Sequence, residues 1–467
     1  MNIHLILQMA ADSMPDREAV VCGSQRLTYQ ALADAVNAFA DKLEDNKKLA
    51  YLAETGTAAP VAMFAAALRG IPYVPINYRL AEDQIEALLK RVSPALLISD
   101  NAPEVEGISR INSAQVFSAG TPWEGFAPDE EGGIAIELFT SGTTGDPKSA
   151  ILRHDNLMAY ILGTIEFMSA EETQSTLVSV PPYHIAGISA ILSSVYAGRR
   201  MVQLPNFSPE AWLKLAMQEN VSQAFLVPTM LQRIIEHVTN KNETLHLPAM
   251  QAIAYGGGKM PHAVIEQAMS LMPHVNFTNA YGLTETSSTI CLLDPDDHRE
   301  AFESEDPSVR ARLSSVGRPL PAVELEIRDD NNASCSAGEA GYVFVRGDQV
   351  SGEYHGSGSL LDENGWFPTR DRGYLDDAGY LFLDGRADDV IVRGGENISP
   401  GEIEDVLIEM SDIKDVAAVA VADDEWGEAV GVVIVPTDMN APPEIEAIKT
   451  HGENIKLKNI TKRLLKK

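Results

Sequence analysis

The stretch LFTSGTTGDPKSA, Leu138 to Ala150, packs small hydroxyls and glycines into one block and closes it with Asp146, Pro147 and Lys148. The run before it, IAIELF from Ile134, is apolar and β-rich, so it reads as a buried strand feeding a loop. Glycines let backbone N–H groups approach an anion, short hydroxyls donate further hydrogen bonds, and a lysine adds a compact positive charge. That chemistry suits phosphate. The same residues would also build a solvent-exposed hairpin. The Walker A spacing is not met, because Pro147 stands where a glycine should precede Lys148.

Working outward, the first 130 or so residues alternate helical and strand patterns. Leu27–Leu43 has helical spacing after Thr28, a capping residue. Ala50–Ala53 and Ala95–Ser99 read as short buried strands, and Ala58–Leu68 as a buried helix stopped by Arg69. At 11 residues it is far short of the ~20 needed to span a bilayer. VSQAFLVPTM from Val221 and QAIAYGGG from Gln251 are further strand-then-turn units. Such alternation predicts α/β architecture, with parallel sheets wrapped by helices. From Pro319 the texture changes to period-two strands, VELEIRDD, GYVFVRG and GYLFLDG, separated by Gly, Asn and Asp turns. The expected fold is therefore a large N-terminal domain, residues 1–384, of two α/β-layered subdomains plus a β-rich, distorted-barrel subdomain. A small α+β domain, 385–467, follows. In it Ser399-Pro400 marks a helix start, and VAAVAVAD and AVGVVIV read as two strands.

Composition narrows the function. The chain has 36 Lys and Arg against 67 Asp and Glu, a net charge of −31. A nucleic-acid partner needs a basic face to replace counterions, so none is expected. Cys22, Cys291 and Cys335 are far apart, which argues against a disulfide framework or a structural zinc and for a reducing cytoplasm. The N-terminus lacks the basic lead-in of a secretory signal. The last nineteen residues are different, with six Lys and one Arg against one Glu. Leu457, Ile460 and Leu464 fall at helical spacing there. This reads as a basic helix on the small domain or on a membrane surface, or as a disordered end.

FTSGTTGDPK resembles the phosphate loop of the adenylate-forming superfamily: acyl-CoA synthetases, luciferases and peptide-synthetase adenylation domains. PPYHIAG, YGGGKMP, NAYGLTET, GWFPTRDRGYLDDAGYLFLDGR and DDVIVRGGENISPGEIE follow in that family's order. The resemblance runs to about Val435, and GGENISP is most similar to fatty-acid or aryl-acid CoA ligases. It implies ATP- and Mg²⁺-dependent activation of a carboxylic acid to an acyl-adenylate, then thioester formation with coenzyme A, a step in fatty-acid or related acid metabolism.

By the same resemblance, Thr140, Ser141, Gly142, Thr143, Thr144 and Lys148 hold the β- and γ-phosphates. Gly257, Gly258 and Lys259, with Asn279, Ala280, Tyr281 and Gly282, border the adenine, on which Tyr281 stacks. Thr284 bonds the α-phosphate and Glu285 holds Mg²⁺, a hard cation suited to a carboxylate plus phosphate oxygens. Asp371 accepts from the ribose hydroxyls, and Arg386 contacts ribose or phosphate. His184, Ile185, Ala186, Gly187, Val227, Thr229 and Met230 form the acyl pocket. Amino-acid-activating relatives place an aspartate near PPYHIAG, but no acid lies between Val178 and Ser189. An ammonium left unpaired there would cost several kcal/mol, so the acid should carry no α-amine. Asp388 marks the hinge, and Arg393, Gly394, Gly395 and Glu396 form a pantetheine tunnel. The catalytic set is then Lys148, Thr284, Glu285 and Arg386.

Three departures qualify the match. Lys259 replaces a common alanine, Arg370 a common glycine, and the terminal Gly-Lys motif is not found after Val435, where Lys456, Lys458 and Lys462 are candidates without supporting spacing. The small domain thus reads as shortened or atypical after about residue 436. Alternatives are a ligase that loads the phosphopantetheine of a carrier protein, or an impaired relative that binds nucleotide or acyl-adenylate.

Overall fold

The computed structural model describes residues 1–43, 48–128, 132–140, 147–241, 245–393, 396–398, 400–408, 410, 412–423, 426–445, 447–448, 451 and 460–464. They divide into two compact units, Met1–Glu324 with Val345–Phe367, and Leu325–Phe344 with Pro368–Lys467.

The first unit holds two large sheets. One has nine strands in the order Arg318–Pro319, Ser288–Leu293, Asn276–Leu283, Ala252–Gly256, Gln223–Leu226, Ser175–Val178, Arg200–Gln203, Glu18–Cys22, Gln25–Thr28. The run from Asn276–Leu283 to Glu18–Cys22 is parallel throughout. From Ser175–Val178 the chain crosses to Arg200–Gln203 on one side, then to Gln223–Leu226 on the other. In an open α/β sheet, such a reversal marks the carboxyl ends of these strands as the usual ligand position. The second sheet has eight strands. Its centre is parallel, Ile108–Ile111, Ala95–Ile98, Leu49–Tyr51, Tyr73–Pro75 and Ile134–Thr140, followed by antiparallel Lys148–Arg153 and the short Glu353–Tyr354 and Gly358–Ser359.

Local chemistry sets the elements. The helix Tyr29–Ala40 starts where Thr28 accepts a hydrogen bond from the Ala31 amide at 3.1 Å. Leu27, which the spacing assigns to that helix, instead lies in the strand before it, Gln25–Thr28. The helix Ala58–Leu68 is buried along its whole length and belongs to a large apolar cluster with Phe39, Phe64, Ile136 and Leu152. A second cluster around Trp212, Tyr255 and Phe277 backs the nine-stranded sheet. The three cysteines are free thiols.

One polar group is locked inside the second cluster. His298 is wholly buried. Its Nδ1 lies 2.7 Å from the Asp294 carbonyl and its Nε2 2.8 Å from the Tyr255 hydroxyl. The carbonyl can only accept, so Nδ1 carries the proton and Nε2 accepts from Tyr255. A second proton would place a positive charge in a buried site and force the Tyr255 hydroxyl to turn its own proton away. Burial accordingly lowers the His298 pKa to about 4. The unfolded chain takes up this proton near pH 6.5, the folded chain only near 4. The stabilisation is therefore complete above pH 6.5 and is lost as pH falls towards 4, at up to about 1.4 kcal/mol per pH unit. Denaturant midpoints between pH 7.5 and 4.5 should show the decline, and His298→Gln should remove one proton's share of the slope.

The second unit carries a four-stranded sheet, Glu324–Arg328, Gly341–Arg346, Phe367–Leu375 and Leu381–Arg386, and the unit boundary falls within the first three of these strands. It also carries a smaller sheet built on the long antiparallel pair Ile413–Asp423 and Gly427–Pro436, packed with the helix Pro400–Leu407. The basic tail differs from its sequence reading. Ile460–Leu464 is not helical but a strand, paired parallel to Gly427–Pro436 with Val430 opposite Ile460 and Val432 opposite Leu464. A four-residue spacing fits a helix and a strand equally, and the open edge of Gly427–Pro436 offers backbone partners. Leu457 lies outside the described residues.

Candidate nucleotide and acyl site

The two strands flanking the segment expected to hold phosphate are described. Ile134–Thr140 pairs antiparallel with Lys148–Arg153, with Thr140 directly opposite Lys148. Ser141, Gly142, Thr143 and Thr144 lie outside the described residues. The base is fastened from two sides. Arg91 donates to the Pro147 carbonyl at 2.6 Å and lies over the Phe139 ring. Beneath the strands, Glu137 is almost fully buried and pairs with Lys48 at 2.9 Å. Its other neighbours are Ser149 Oγ at 3.5 Å and the His355 ring at 3.9 Å. A buried carboxylate needs such a partner, because removing one charge strands the other in low dielectric.

The other predicted segments of this unit gather at the carboxyl ends of the parallel strands. His184 caps the helix Ile185–Ala197 just beyond Ser175–Val178. Val227 caps the helix Pro228–Asn240 directly after Gln223–Leu226. Gly257, Gly258 and Lys259 follow Ala252–Gly256 as an exposed turn. A Cβ on Gly257 would sit 3.8 Å from Val227 Cγ1, so the adenine and acyl candidates adjoin. Ser179 Oγ lies 4.0 Å from Met230 Sδ, which ties the segment leading to His184 to the one carrying Thr229 and Met230. A Cβ on Gly187 would lie 2.6 Å from the Pro181 carbonyl oxygen, so the helix carrying Ile185 and Ala186 approaches the preceding turn closely. The side chain of His184 is exposed, yet desolvation by the atoms around it and then the Arg79 guanidinium hold its pKa below the usual histidine range. His184 is thus a neutral hydrogen-bonding group at pH 7.

Asn279, Ala280, Tyr281 and Gly282 end the strand Asn276–Leu283. Asn279 is buried and donates to the Ser315 carbonyl at 3.0 Å, so its side chain supports the strand. Tyr281 is 8 % exposed. Gly282 sits at a register shift where a Cβ would fall 1.8 Å from the Ser288 carbonyl oxygen. Thr284 and Glu285 open the single turn beyond it, and Ser287 and Ser288 follow with φ of 58° and 128°. Positive φ at two consecutive non-glycine residues is held against a cost of order 1–3 kcal/mol each, and such backbone concentrates at functional sites.

Sequence reasoning missed what holds this turn. The segment 349–355 straps it to the phosphate hairpin. Gln349 donates to the carbonyls of Thr286 and Thr289 at 3.0 and 2.8 Å. The amides of Ser351 and Gly352 donate to the Glu285 carbonyl at 2.8 and 3.1 Å. Glu353 and Tyr354 then pair with Ile151 and Ala150, and Glu353 takes a two-pronged bond from Arg153 at 2.8 Å. The Tyr354 hydroxyl donates to Glu285 Oε1. Lys148 Nζ lies 5.8 Å from the Tyr354 ring centroid. A lone tyrosine in SGEYHGSG gives no sequence signal of this.

In the second unit Asp371 and Arg386 are cross-strand partners, 3.4 Å apart. Asp371 is buried, and its amide donates to Thr369 Oγ1 at 3.1 Å. Arg370, where the family commonly has glycine, has φ of 66°, a left-handed conformation that glycine adopts without strain. The carboxylate and guanidinium can therefore meet hydroxyls or phosphate as one charged pair. Arg393 pairs with Glu396 across a hairpin and lies over the exposed Trp426 ring, 5.2 Å from its centroid. Gly394 and Gly395 lie outside the described residues, as do the side chains of Asp388 and Glu396.

The chain that carries this hairpin base and this strained acidic turn matches one established family over most of its length. The AMP-binding enzyme family matches residues 7–355, and its C-terminal domain matches 402–458. The chain belongs to the AMP-binding enzyme family. Among its relatives, a 2-succinylbenzoate–CoA ligase of Bacillus cereus is 27% identical over 456 residues, covering 94% of this chain and 89% of that protein. The structure of o-succinylbenzoate CoA synthetase (MenE) from Bacillus subtilis in complex with ATP and magnesium ion is similar with a TM-score of 0.84 at 26% identity, covering 97% of this chain and 93% of that one. The same synthetase in complex with the acyl-adenylate intermediate OSB-AMP gives a TM-score of 0.84 at 25% identity, covering 97% of this chain and 92% of that one. As an AMP-binding enzyme the chain has the mixed α/β fold of several sheets expected of it. No helix among the described residues is long and apolar enough to cross a membrane.

Proposed function

We infer that this AMP-binding enzyme is an acid–thiol ligase that uses ATP to activate a carboxylic acid without an α-amine, of the aryl class, and transfers the acyl group to coenzyme A. The single observation that carries the reading is the strap that brings Lys148, the lysine closing the Ser/Thr/Gly stretch, and a carboxylate, Glu285, to one tyrosine. The relatives' ligase activity on 2-succinylbenzoate supports the aryl class.

In the first half-reaction a carboxylate oxygen attacks the α-phosphorus, and the bond to the bridging oxygen breaks to release pyrophosphate. Lys148 and the hairpin hold the β- and γ-phosphates, Thr284 bonds the α-phosphate, and Gly257, Gly258, Lys259 and Tyr281 border the base. Asp371 and Arg386 serve the ribose. Their contribution is positioning and charge, since attacker and leaving group are both anionic. Glu285 suits Mg²⁺, a hard cation satisfied by one carboxylate together with phosphate oxygens and water. When bound, the ion neutralises charge building on the pyrophosphate. His184, Ile185, Gly187, Val227, Thr229 and Met230 line the acyl crevice, which carries no carboxylate from Val178 to Ser189 to pair with an ammonium. In the second half-reaction the thiol sulfur attacks the acyl carbon and AMP leaves. The stretch after Gly385 turns about Asp388, and Arg393 to Glu396 lead the pantetheine in. The enzyme works in the cytoplasm.

Pyrophosphate release with a panel of aryl, fatty and α-amino acids, each with and without coenzyme A, tests this reading. Release with aryl acids, accelerated by coenzyme A, is expected. Turnover confined to α-amino acids would overturn it, and acceleration by a phosphopantetheinyl carrier protein but not by coenzyme A would reassign the acceptor.

A further inference from the structure

We propose that Tyr354 is a positioning residue that sets the Glu285 carboxylate for the metal ion and keeps it in register with Lys148; the proposal rests on the reading of Glu285 as a magnesium ligand. A half-buried tyrosine on a short outer strand is ordinarily a cover for apolar surface. Three observations separate Tyr354 from that role. Its hydroxyl donates to Glu285 Oε1, which fixes one carboxylate oxygen on the tyrosine. Its ring lies beneath the Lys148 ammonium at 5.8 Å, so one side chain touches both a cation and an anion assigned to the same triphosphate. Its backbone is fixed to the strand that begins at Lys148, through the Tyr354–Ala150 pairing. Three and two residues earlier, the Ser351 and Gly352 amides donate to the Glu285 carbonyl at 2.8 and 3.1 Å.

Glu285 is thus held at both its main chain and its carboxylate, by one strap. A freely rotating glutamate would have to give up rotamer freedom on meeting the ion, and this one has already lost much of it. Hydrogen bonds that orient a ligating carboxylate commonly carry a 10- to 100-fold share of metal affinity. Tyr354→Phe removes the hydroxyl while keeping the ring over which Lys148 lies.

The test is Mn²⁺ binding to the full chain with a non-hydrolysable ATP analogue, read by electron paramagnetic resonance, in wild type, Tyr354→Phe, Glu285→Gln and the double variant. The expected result is about tenfold weaker Mn²⁺ binding in Tyr354→Phe, the same factor in the Mg²⁺ needed for half-maximal pyrophosphate release, and an unchanged KM for the acid. Adding Tyr354→Phe to Glu285→Gln should produce no further loss, because the hydroxyl acts through that carboxylate. Near-ultraviolet circular dichroism checks that each variant is folded, and Tyr354→Trp, which also lacks the hydroxyl, should repeat the loss if Tyr354→Phe is not. Wild-type Mn²⁺ affinity in folded Tyr354→Phe, with weakened affinity in Glu285→Gln, overturns the role of Tyr354 and leaves Glu285 as ligand. Wild-type affinity in both single variants overturns the metal assignment of Glu285 and the proposal with it.

Discussion

Lys148→Ala should lower the rate of pyrophosphate release by about 100- to 1,000-fold while leaving AMP binding nearly intact. The size follows from what a fixed donor contributes at a site where charge builds on a leaving group. Lys148 stands opposite Thr140 at the mouth of the hairpin, and that hairpin is fastened by Arg91 and by the buried Lys48–Glu137 pair. Its ammonium is therefore presented by a rigid base and does little of its work through folding. AMP lacks the two phosphates that Lys148 is assigned to hold, which is why the two measurements should separate. Stopped-flow detection of pyrophosphate, beside equilibrium binding of AMP, checks this. Equal losses in both would place Lys148 on the α-phosphate or the base instead.

Glu285→Gln should raise the Mg²⁺ concentration for half-maximal activity by about 10- to 100-fold, with a smaller effect at saturating metal. Glutamine keeps the size and can still accept from Tyr354, so the strap and the strained Ser287–Ser288 backbone should survive. What it lacks is the negative charge that Mg²⁺ selects. Titration of pyrophosphate release with Mg²⁺ at fixed ATP reads the shift, and an unchanged requirement would remove Glu285 as a ligand.

The buried elements and the glycine-bearing turns were legible because their residues admit few alternatives. Ala58–Leu68 is apolar on every face and is buried on every face. Thr28 reads as a cap and accepts from the third amide of its helix. Gly282, inside a recognisable motif, lies where any Cβ would strike the facing strand. Arg370, flagged as a departure from glycine, proves to occupy a left-handed position. What stayed illegible depends on contacts distant in sequence. Glu137 and Lys48 are ordinary charges until the sheet buries one against the other, 89 positions apart. Tyr354 meets Glu285 across 69 positions, and no local pattern marks it. Ile460–Leu464 stays open between helix and other states in the sequence because five residues satisfy both the helical and the strand period, and only the edge of the neighbouring strand decides.

The central claim is that a carboxylate oxygen of the acid attacks the α-phosphorus of ATP held at this site. It is tested most directly by supplying 2-succinylbenzoate, the acid named for the relatives, labelled with ¹⁸O in its carboxyl groups, together with ATP, Mg²⁺ and coenzyme A, and analysing the products by mass spectrometry. The account predicts one ¹⁸O in each AMP formed and none in pyrophosphate. Label appearing in orthophosphate with ADP, or AMP formed without label, would contradict it.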